Sequence, residues 1–267
     1  MSKRIRTINY SFGHDLKKIK MFQRRSIDTH GTFIKSYLKP GMRILDCGCS
    51  TGHLTQSIAQ LIPLGEVIGI DIHEPSLRLA QENVGREGIK NISFQQADAL
   101  SLPFKDNFFD LVFSSALLCH LPDPIAALKE QLRVLKRGGI LATSDGCRQP
   151  IIYPSNELLQ EAFSFYLQPI QKDGGDLDLG LKLGKLFSEL NLHSIQHHLY
   201  AGNWDASEIS EYMIGTLKTS EYNKNLLAKN KVAQNKINSY VQAWENFSGI
   251  KGAIFCFMWG QAVGIKP

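Results

Sequence analysis

Arg43-Ile44-Leu45-Asp46-Cys47-Gly48-Cys49-Ser50-Thr51-Gly52-His53-Leu54 is a short apolar run, then a turn of small residues, then a helix start. Glycine lets a backbone approach a ligand where any side chain would collide. The helix start adds unpaired N–H groups and the positive end of a dipole. A ligand with a polar or anionic tail suits such a turn. Two chemistries share the pattern. One is a nucleotide-type cofactor loop of the form D-x-G-x-S-T-G. The other is G-x-S-x-G, Gly48 to Gly52, the nucleophile elbow of α/β-hydrolases. A lone match of either kind also occurs as an ordinary tight turn.

Working outward, apolar strands alternate with helical patterns. After strand Arg43–Cys47 comes a helix over Leu54–Leu61, ended by Pro63 and Gly65. Strand Glu66–Asp71 ends on an acid. Glu74-Pro75-Ser76 opens a helix running to about Arg86. Strand Ile92–Asp98 again ends on an acid, and a loop at Leu102-Pro103-Phe104 precedes strand Phe108–Ser115. Pro122–Leu135 carries Ile125, Leu128, Leu132 and Leu135 on one helical face. Lys136 to Gly139 reads as its C-terminal turn, and Ile140–Ser144 as a fifth strand. Further on, the spacing predicts a helix over Leu177–Leu190 and strands over Ser194–Tyr200 and Ala253–Ile265. Arg148–Asp173 reads as an irregular or helical insert and Trp204–Phe247 as a helical one. Upstream, Ser26–Leu38 reads as a helix stopped by Pro40-Gly41.

This alternation predicts an α/β fold: a Rossmann-like, doubly wound, mostly parallel sheet of seven strands, with an antiparallel last strand and a helical lid from the two inserts. Such sheets bind ligands beyond the carboxyl ends of their strands. Asp46, Asp71, Asp98, Ser114 and Asp145 all lie at or near such ends, which predicts one crevice.

The chain has 267 residues, 43% of them hydrophobic and 21% charged, the balance of an ordinary globular protein. The formal net charge is +5. Much of it lies in Lys3, Arg4, Arg6, Lys17, Lys18, Lys20, Arg24 and Arg25. Aromatic residues are not interleaved there as a single-strand binder needs, so the run reads as a solvated face and not a nucleic-acid site. Five scattered cysteines, with no C-x-x-C and no His/Cys zinc spacing, argue against a structural metal. Their odd number and the lack of a signal peptide point to a reducing, cytoplasmic setting. No apolar run is long enough to span a bilayer.

A carboxylate ending the second strand suits a ribose, whose two hydroxyls donate to its two oxygens. Asp71 follows Asp46 by 25 residues, close to the dinucleotide-fold offset. Asp98, one strand further, suits an exocyclic adenine amine. Asp46 before the turn repels a pyrophosphate and attracts a cation. That favours S-adenosylmethionine, with its ammonium and sulfonium, over a nicotinamide dinucleotide.

The chain resembles the class I S-adenosylmethionine-dependent methyltransferases of small-molecule type, the broad group that includes the ubiquinone and menaquinone C-methyltransferases. The matching segments are Leu45 to Gly52, Gly69-Ile70-Asp71, Ala97-Asp98-Ala99 with Leu102-Pro103-Phe104, Phe109 to Val112, Leu118 to Pro124 and Arg133 to Gly139. In order and spacing they cover about Tyr10 to Ser144. Tyr10-x-x-Gly13-His14 resembles a subgroup with a Tyr-x-x-Gly-His segment. Ser50 departs from the family, which usually has glycine there, and keeps the hydrolase alternative in view. Against that alternative, a single strand precedes Ser50, and no His-Gly-Gly-Gly segment lies upstream. His193, His197 and His198 are its candidate late bases.

The resemblance implies that Asp46, Gly48, Ser50 and Gly52 line the methionine portion of the cofactor. It implies Asp71 and Ile72 at the ribose and adenine, Asp98 and Ala99 at the adenine amine and ring, and Ser114 or Ser115 under the sulfonium. Tyr10 and His14 close over the cofactor from an N-terminal segment, residues 1–40. Residues 41–145 form the cofactor-binding core. Residues 146–267 complete the sheet and carry the lid inserts, about 148–173 and 204–247. His120 is the first candidate base and Asp145 the second; Phe163, Tyr166 and Trp204 are candidate walls for an aromatic or lipophilic acceptor. The implied partner is a small-molecule acceptor for a chain acting as monomer or homodimer, with S-adenosylhomocysteine as product. A non-catalytic protein of the same fold is the rival from outside enzymology.

Overall fold

A computed structural model describes Arg24–Pro267. The first five strands are β1 (Arg43–Cys47), β2 (Glu66–Asp71), β3 (Ile92–Gln96), β4 (Phe109–Ser115) and β5 (Leu135–Gly146). They lie in the order β3-β2-β1-β4-β5, all parallel. Ile44, Leu45, Val67, Leu111, Val112 and Phe113 in these strands are fully buried. A parallel sheet covered on both faces needs such near-continuous apolar runs. The crossover helices are α1 (His53–Leu61), α2 (Glu74–Glu87) and α3 (Pro124–Val134). The last begins two residues later than its apolar pattern, because the Asp123 carboxylate accepts the Ala126 N–H at 2.9 Å and Pro124 takes the first helical position. Lys136 to Gly139, expected as a turn, belongs to β5, whose pairing with β4 shifts register between Phe109 and Leu111.

Among the described residues the sheet has eight strands, one more than the sequence pattern predicts. β8 (Ile254–Ile265) runs antiparallel beside β5, and β7 (His193–Trp204) pairs with its other edge. β5 ends at Gly146, opposite Trp259. Beyond that point the backbone of β8 needs new partners, and β6 (Ile151–Tyr153) supplies them, pairing with Ile254–Cys256. Three residues are too few to show a period, so in the sequence this strand falls within the first insert. The expected helix over Ser26–Leu38 is instead a turn followed by a 3-10 segment, Thr32–Tyr37. The Thr29 hydroxyl accepts the Ser26 N–H at 2.9 Å, a local bond that competes with helix.

Two glycines let a helix touch the sheet. α5 (Leu179–Glu189) follows α4 (Glu157–Lys172) and starts against β8. A Cβ at Gly260 would lie 1.9 Å from the Gly180 carbonyl oxygen, and one at Gly180 would lie 2.4 Å from that of Asp145. Above the carboxyl ends of the parallel strands sit α4, α6 (Ala206–Thr219), α7 (Glu221–Ala228) and α8 (Gln234–Ser248). Helices from both inserts share one apolar cluster, which includes Phe163, Met213, Trp244 and Phe247 and reaches the sheet through Phe255. Among the described residues, no helix is long and apolar enough to cross a membrane.

Candidate active site

The turn after β1 is held by backbone bonds to the next strand. The N–H groups of Gly48 and Cys49 both donate to the Ile70 carbonyl, at 2.8 and 2.9 Å. Gly48, Ser50 and Gly52 all have positive φ, at 78°, 49° and 76°. A Cβ at Gly52 would lie 2.5 Å from the Phe94 ring. Ser50 therefore occupies a left-handed position, which explains the glycine expected there and marks the serine as a strained substitute.

Asp71 ties this turn down. Its Oδ2 accepts the Ser50 N–H and its Oδ1 the His73 N–H, both at 2.9 Å. Burial raises its pKa, against the lowering effect of the His73 and Ser50 N–H groups. Each oxygen keeps a further lone pair for a ligand hydroxyl. Asp46 is almost wholly buried and accepts the Thr55 hydroxyl at 2.7 Å. Burial pushes its pKa up to about 7; the Thr55 bond and the Arg25 cation pull it down, and Asp71 pushes it up. Asp98 accepts the Leu100 N–H at 2.9 Å and so closes its own turn, with Ala99 buried in it. The half-buried Ile72 offers its carbonyl to the Gln96 amide at 2.9 Å.

A cavity opens at the ends of β1 and β4. Asp46, Gly48, Ser50 and Ser115 line it, joined by Arg25 and His53, which sequence reasoning missed. The Ser115 hydroxyl is buried and has no hydrogen-bond partner among the described residues. Ser114 is not part of this cavity lining. Side chains alternate along a strand, and its hydroxyl lies 2.8 Å from that of Thr143, buried between β4 and β5. Arg25 departs from the solvated-face reading, since it is among the residues lining the cavity and its guanidinium lies 5.7 Å from the Trp259 ring centroid; Lys3 to Lys20 of the basic run lie outside the described residues. Two adjacent arginines give no signal of which one turns inward. Arg24 instead pairs with Glu208.

His120 ends a 3-10 turn, Leu118–His120, after β4. Burial lowers its pKa to about 4, with Arg25 lowering it further and Asp173 opposing. The imidazole is neutral at pH 7. The Arg25 field thus reaches both Asp46 and His120. Asp145 is placed differently from the expectation of an acceptor-facing base. It is fully buried, accepting the Cys119 N–H at 3.0 Å and the Thr143 hydroxyl at 3.3 Å. Burial raises its pKa to about 6. It anchors the turn that presents His120.

On the lid side the Tyr166 and Tyr212 hydroxyls lie 3.0 Å apart, and the Trp204 and Phe257 rings 6.1 Å. Phe163 is core, packed on Phe255 and Phe257. Tyr10 and His14 lie outside the described residues. The hydrolase bases do not reach Ser50. His193, His197 and His198 are on β7, four strand spacings from β1, which is ~19 Å. The His197 Nε2 donates to the Gly180 carbonyl at 2.8 Å.

Residues 38–190 match a family described as a methyltransferase domain. An uncharacterized methyltransferase of Schizosaccharomyces pombe is 33% identical over 205 residues, covering 73% of this chain and 74% of that one. A ubiquinone/menaquinone biosynthesis C-methyltransferase of Yersinia pestis is 36% identical over 152 residues, 56% of this chain; the match spans 57% of the relative, a little over half its length. The YcgJ protein of Bacillus subtilis shares the fold with a TM-score of 0.58 at 23% identity, over 88% of this chain and 97% of that one. A phosphoethanolamine N-methyltransferase of Haemonchus contortus, solved with phosphomonomethylethanolamine and S-adenosylhomocysteine, gives 0.56 at 22% identity over 86% of this chain and 50% of that one. With over half of its length matched to the family and a relative aligned along most of both chains, the protein belongs to the class I S-adenosylmethionine-dependent methyltransferases.

Proposed function

We propose that this chain transfers the methyl group of S-adenosylmethionine to a small organic acceptor bound between the sheet and the insert helices. One observation carries the reading: Asp46, Asp71 and Asp98 stand at or near the ends of three adjacent parallel strands, and beside them at the end of β4 the buried Ser115 hydroxyl has no partner among the described residues. The residues fit the cofactor. Asp46 meets its ammonium, Asp71 its ribose hydroxyls and Asp98 its adenine amine, with Gly48 and Ser50 beside the methionine chain. Bound there, the cofactor would supply a sulfonium-activated methyl group for an O, N or C nucleophile of the acceptor, with S-adenosylhomocysteine as the leaving group.

The chain's own contribution is position, worth up to ~7–11 kcal/mol when reactants are well oriented. His120, neutral at pH 7, is the group able to take a proton from an acceptor that must lose one. Asp145 positions it through the Cys119 N–H. Helices α4, α6 and α8 act as a lid that keeps water out, and residues 41–145 act as the cofactor core. Isothermal titration with S-adenosylmethionine and S-adenosylhomocysteine tests this, alongside Asp71→Ala. Low-micromolar binding that collapses in the variant supports the reading; a folded protein that binds neither ligand refutes it. Candidate acceptors are then screened for a 14-dalton gain, roughly the mass of one added methylene.

A further inference from the structure

The sheet ends on an open edge. β7 pairs with β8 along one side, and among the described residues no strand pairs with its other side. It is 12 residues long, against five for β3 at the opposite edge. An open edge presents a row of unpaired N–H and C=O groups, which proteins blunt with charged side chains, bulges or short strands. In β7 the register shifts between His193 and Gln196, where Ser194 has a φ of 50°. From Gln196 to Trp204 the register is regular. That stretch carries no Lys, Arg, Asp or Glu. Large apolar side chains stand exposed at its middle instead, Leu199 at 53% and Tyr200 at 36%.

Such an edge fits one kind of partner. A two-fold interface sets each residue near its own copy, so a charge close to the axis repels itself. A stretch that holds no acid, lysine or arginine and is apolar at its centre is complementary to itself. We infer that β7 pairs antiparallel with β7 of a second copy of this chain, joining two sheets into one. The irregularity at Ser194 sets the register. The centre of the regular stretch is Tyr200, which then falls opposite its own copy, with Leu199 opposite Ala201 and Gln196 opposite Trp204. Opposed residues share a face of the sheet. The α5 layer, tied to β7 by the bond from His197 to Gly180, therefore continues on the same side in both copies. The regular edge is ~30 Å long, and a sheet with one helix layer is ~20 Å deep. The contact is then ~600 Å² on each copy, or ~1,200 Å² in all, which reaches the range of stable interfaces.

Sedimentation velocity on the full chain tests this, and a dimer is expected at micromolar concentration. Leu199→Lys sets an ammonium of each copy beside the axis and should weaken the dimer about tenfold or more. Leu64→Lys, on the exposed loop after α1, should leave it unchanged. Tyr200→Cys reads the register. A residue opposite its own copy has Cα atoms ~5 Å apart, within disulfide reach. Mild oxidation should link this variant into a covalent dimer and should link neither wild type nor Gln196→Cys, whose copies lie at opposite ends of the pairing. A chain that stays monomeric would overturn the inference. So would a dimer as tight in Leu199→Lys as in wild type, or a Tyr200→Cys variant that links no better than Gln196→Cys.

Discussion

Replacing Asp46 by asparagine should stabilise the ligand-free protein above neutral pH. The Asp46 carboxyl has an ordinary pKa of 3.8 and is pushed up to about 7 in the fold, chiefly by burial. Between pH ~4 and ~7 the unfolded chain has released this proton while the folded chain keeps it. Stability therefore falls as pH rises through that window and levels off above the folded value. A rise of about three pH units, at ~1.4 kcal/mol each, is an upper bound of ~4 kcal/mol. Relaxation and water entry around a buried charge bring this to ~2 kcal/mol. Asparagine has no charge to desolvate, and its amide oxygen still accepts from Thr55. For a chain of this size, ~2 kcal/mol moves Tm by roughly 4–8 °C. The assay is thermal unfolding by circular dichroism at pH 4.5 and pH 8. Asp145 shifts in the same direction in both proteins, so their difference isolates Asp46. The variant should lead by that margin at pH 8 and by little at pH 4.5. S-adenosylhomocysteine, whose ammonium offsets the charge, should then stabilise the wild type more than the variant. A margin that does not grow with pH, or a variant less stable at pH 8, would refute the reasoning.

Ser50→Gly relieves a left-handed residue and should raise stability by up to ~1 kcal/mol in urea unfolding, with S-adenosylmethionine binding kept; an enzyme using Ser50 as nucleophile would lose all activity. Asp145→Ala leaves the buried Cys119 N–H without its acceptor, while the Thr143 hydroxyl keeps Ser114, and should cost ~1–3 kcal/mol, whereas Asp145→Asn should stay within ~1 kcal/mol; equal losses in the two variants would show that the charge and not the acceptor matters. Gly260→Ala forces α5 off the sheet at its contact with Gly180, and a loss of ~2 kcal/mol or more in denaturant unfolding is expected. A neutral result would mean that this helix is free to shift.

The core was legible where structure follows from neighbours in sequence. β2 declares itself as an apolar run ending on an acid, β1 carries Asp46 one residue before its end, and the acids then fall together because parallel strands share one carboxyl end. The turn at Gly48 to Gly52 was legible for the same reason, since its φ values are set locally. What escaped depends on partners far along the chain. β6 exists because β8 outruns β5 by several residues, a fact about residues 254–256 that leaves no trace at 151–153. Ser114 and Ser115 differ by a single step of strand phase, and only the pairing with Thr143 decides which of them lines the cavity.

The same distinction divides the crevice. The proposed cofactor half lies within one stretch, Asp46 to Asp98, where each candidate side chain follows its own strand. The proposed acceptor half draws on Arg25, His120, Tyr166, Tyr212 and Trp259 from five separate segments, and no spacing rule connects them. The two halves meet at Arg25, whose charge acts on Asp46 and on His120 alike. A substitution among the lid rings, such as Tyr212→Phe, removes a hydroxyl 3.0 Å from Tyr166 and touches nothing that lines the cofactor cavity. Acceptor affinity should therefore change in such variants while S-adenosylmethionine affinity stays within about twofold, below ~0.4 kcal/mol. Arg25 variants are the exception, because that residue belongs to both halves, and a loss of cofactor affinity from the Tyr212 change would show that the halves are not separable.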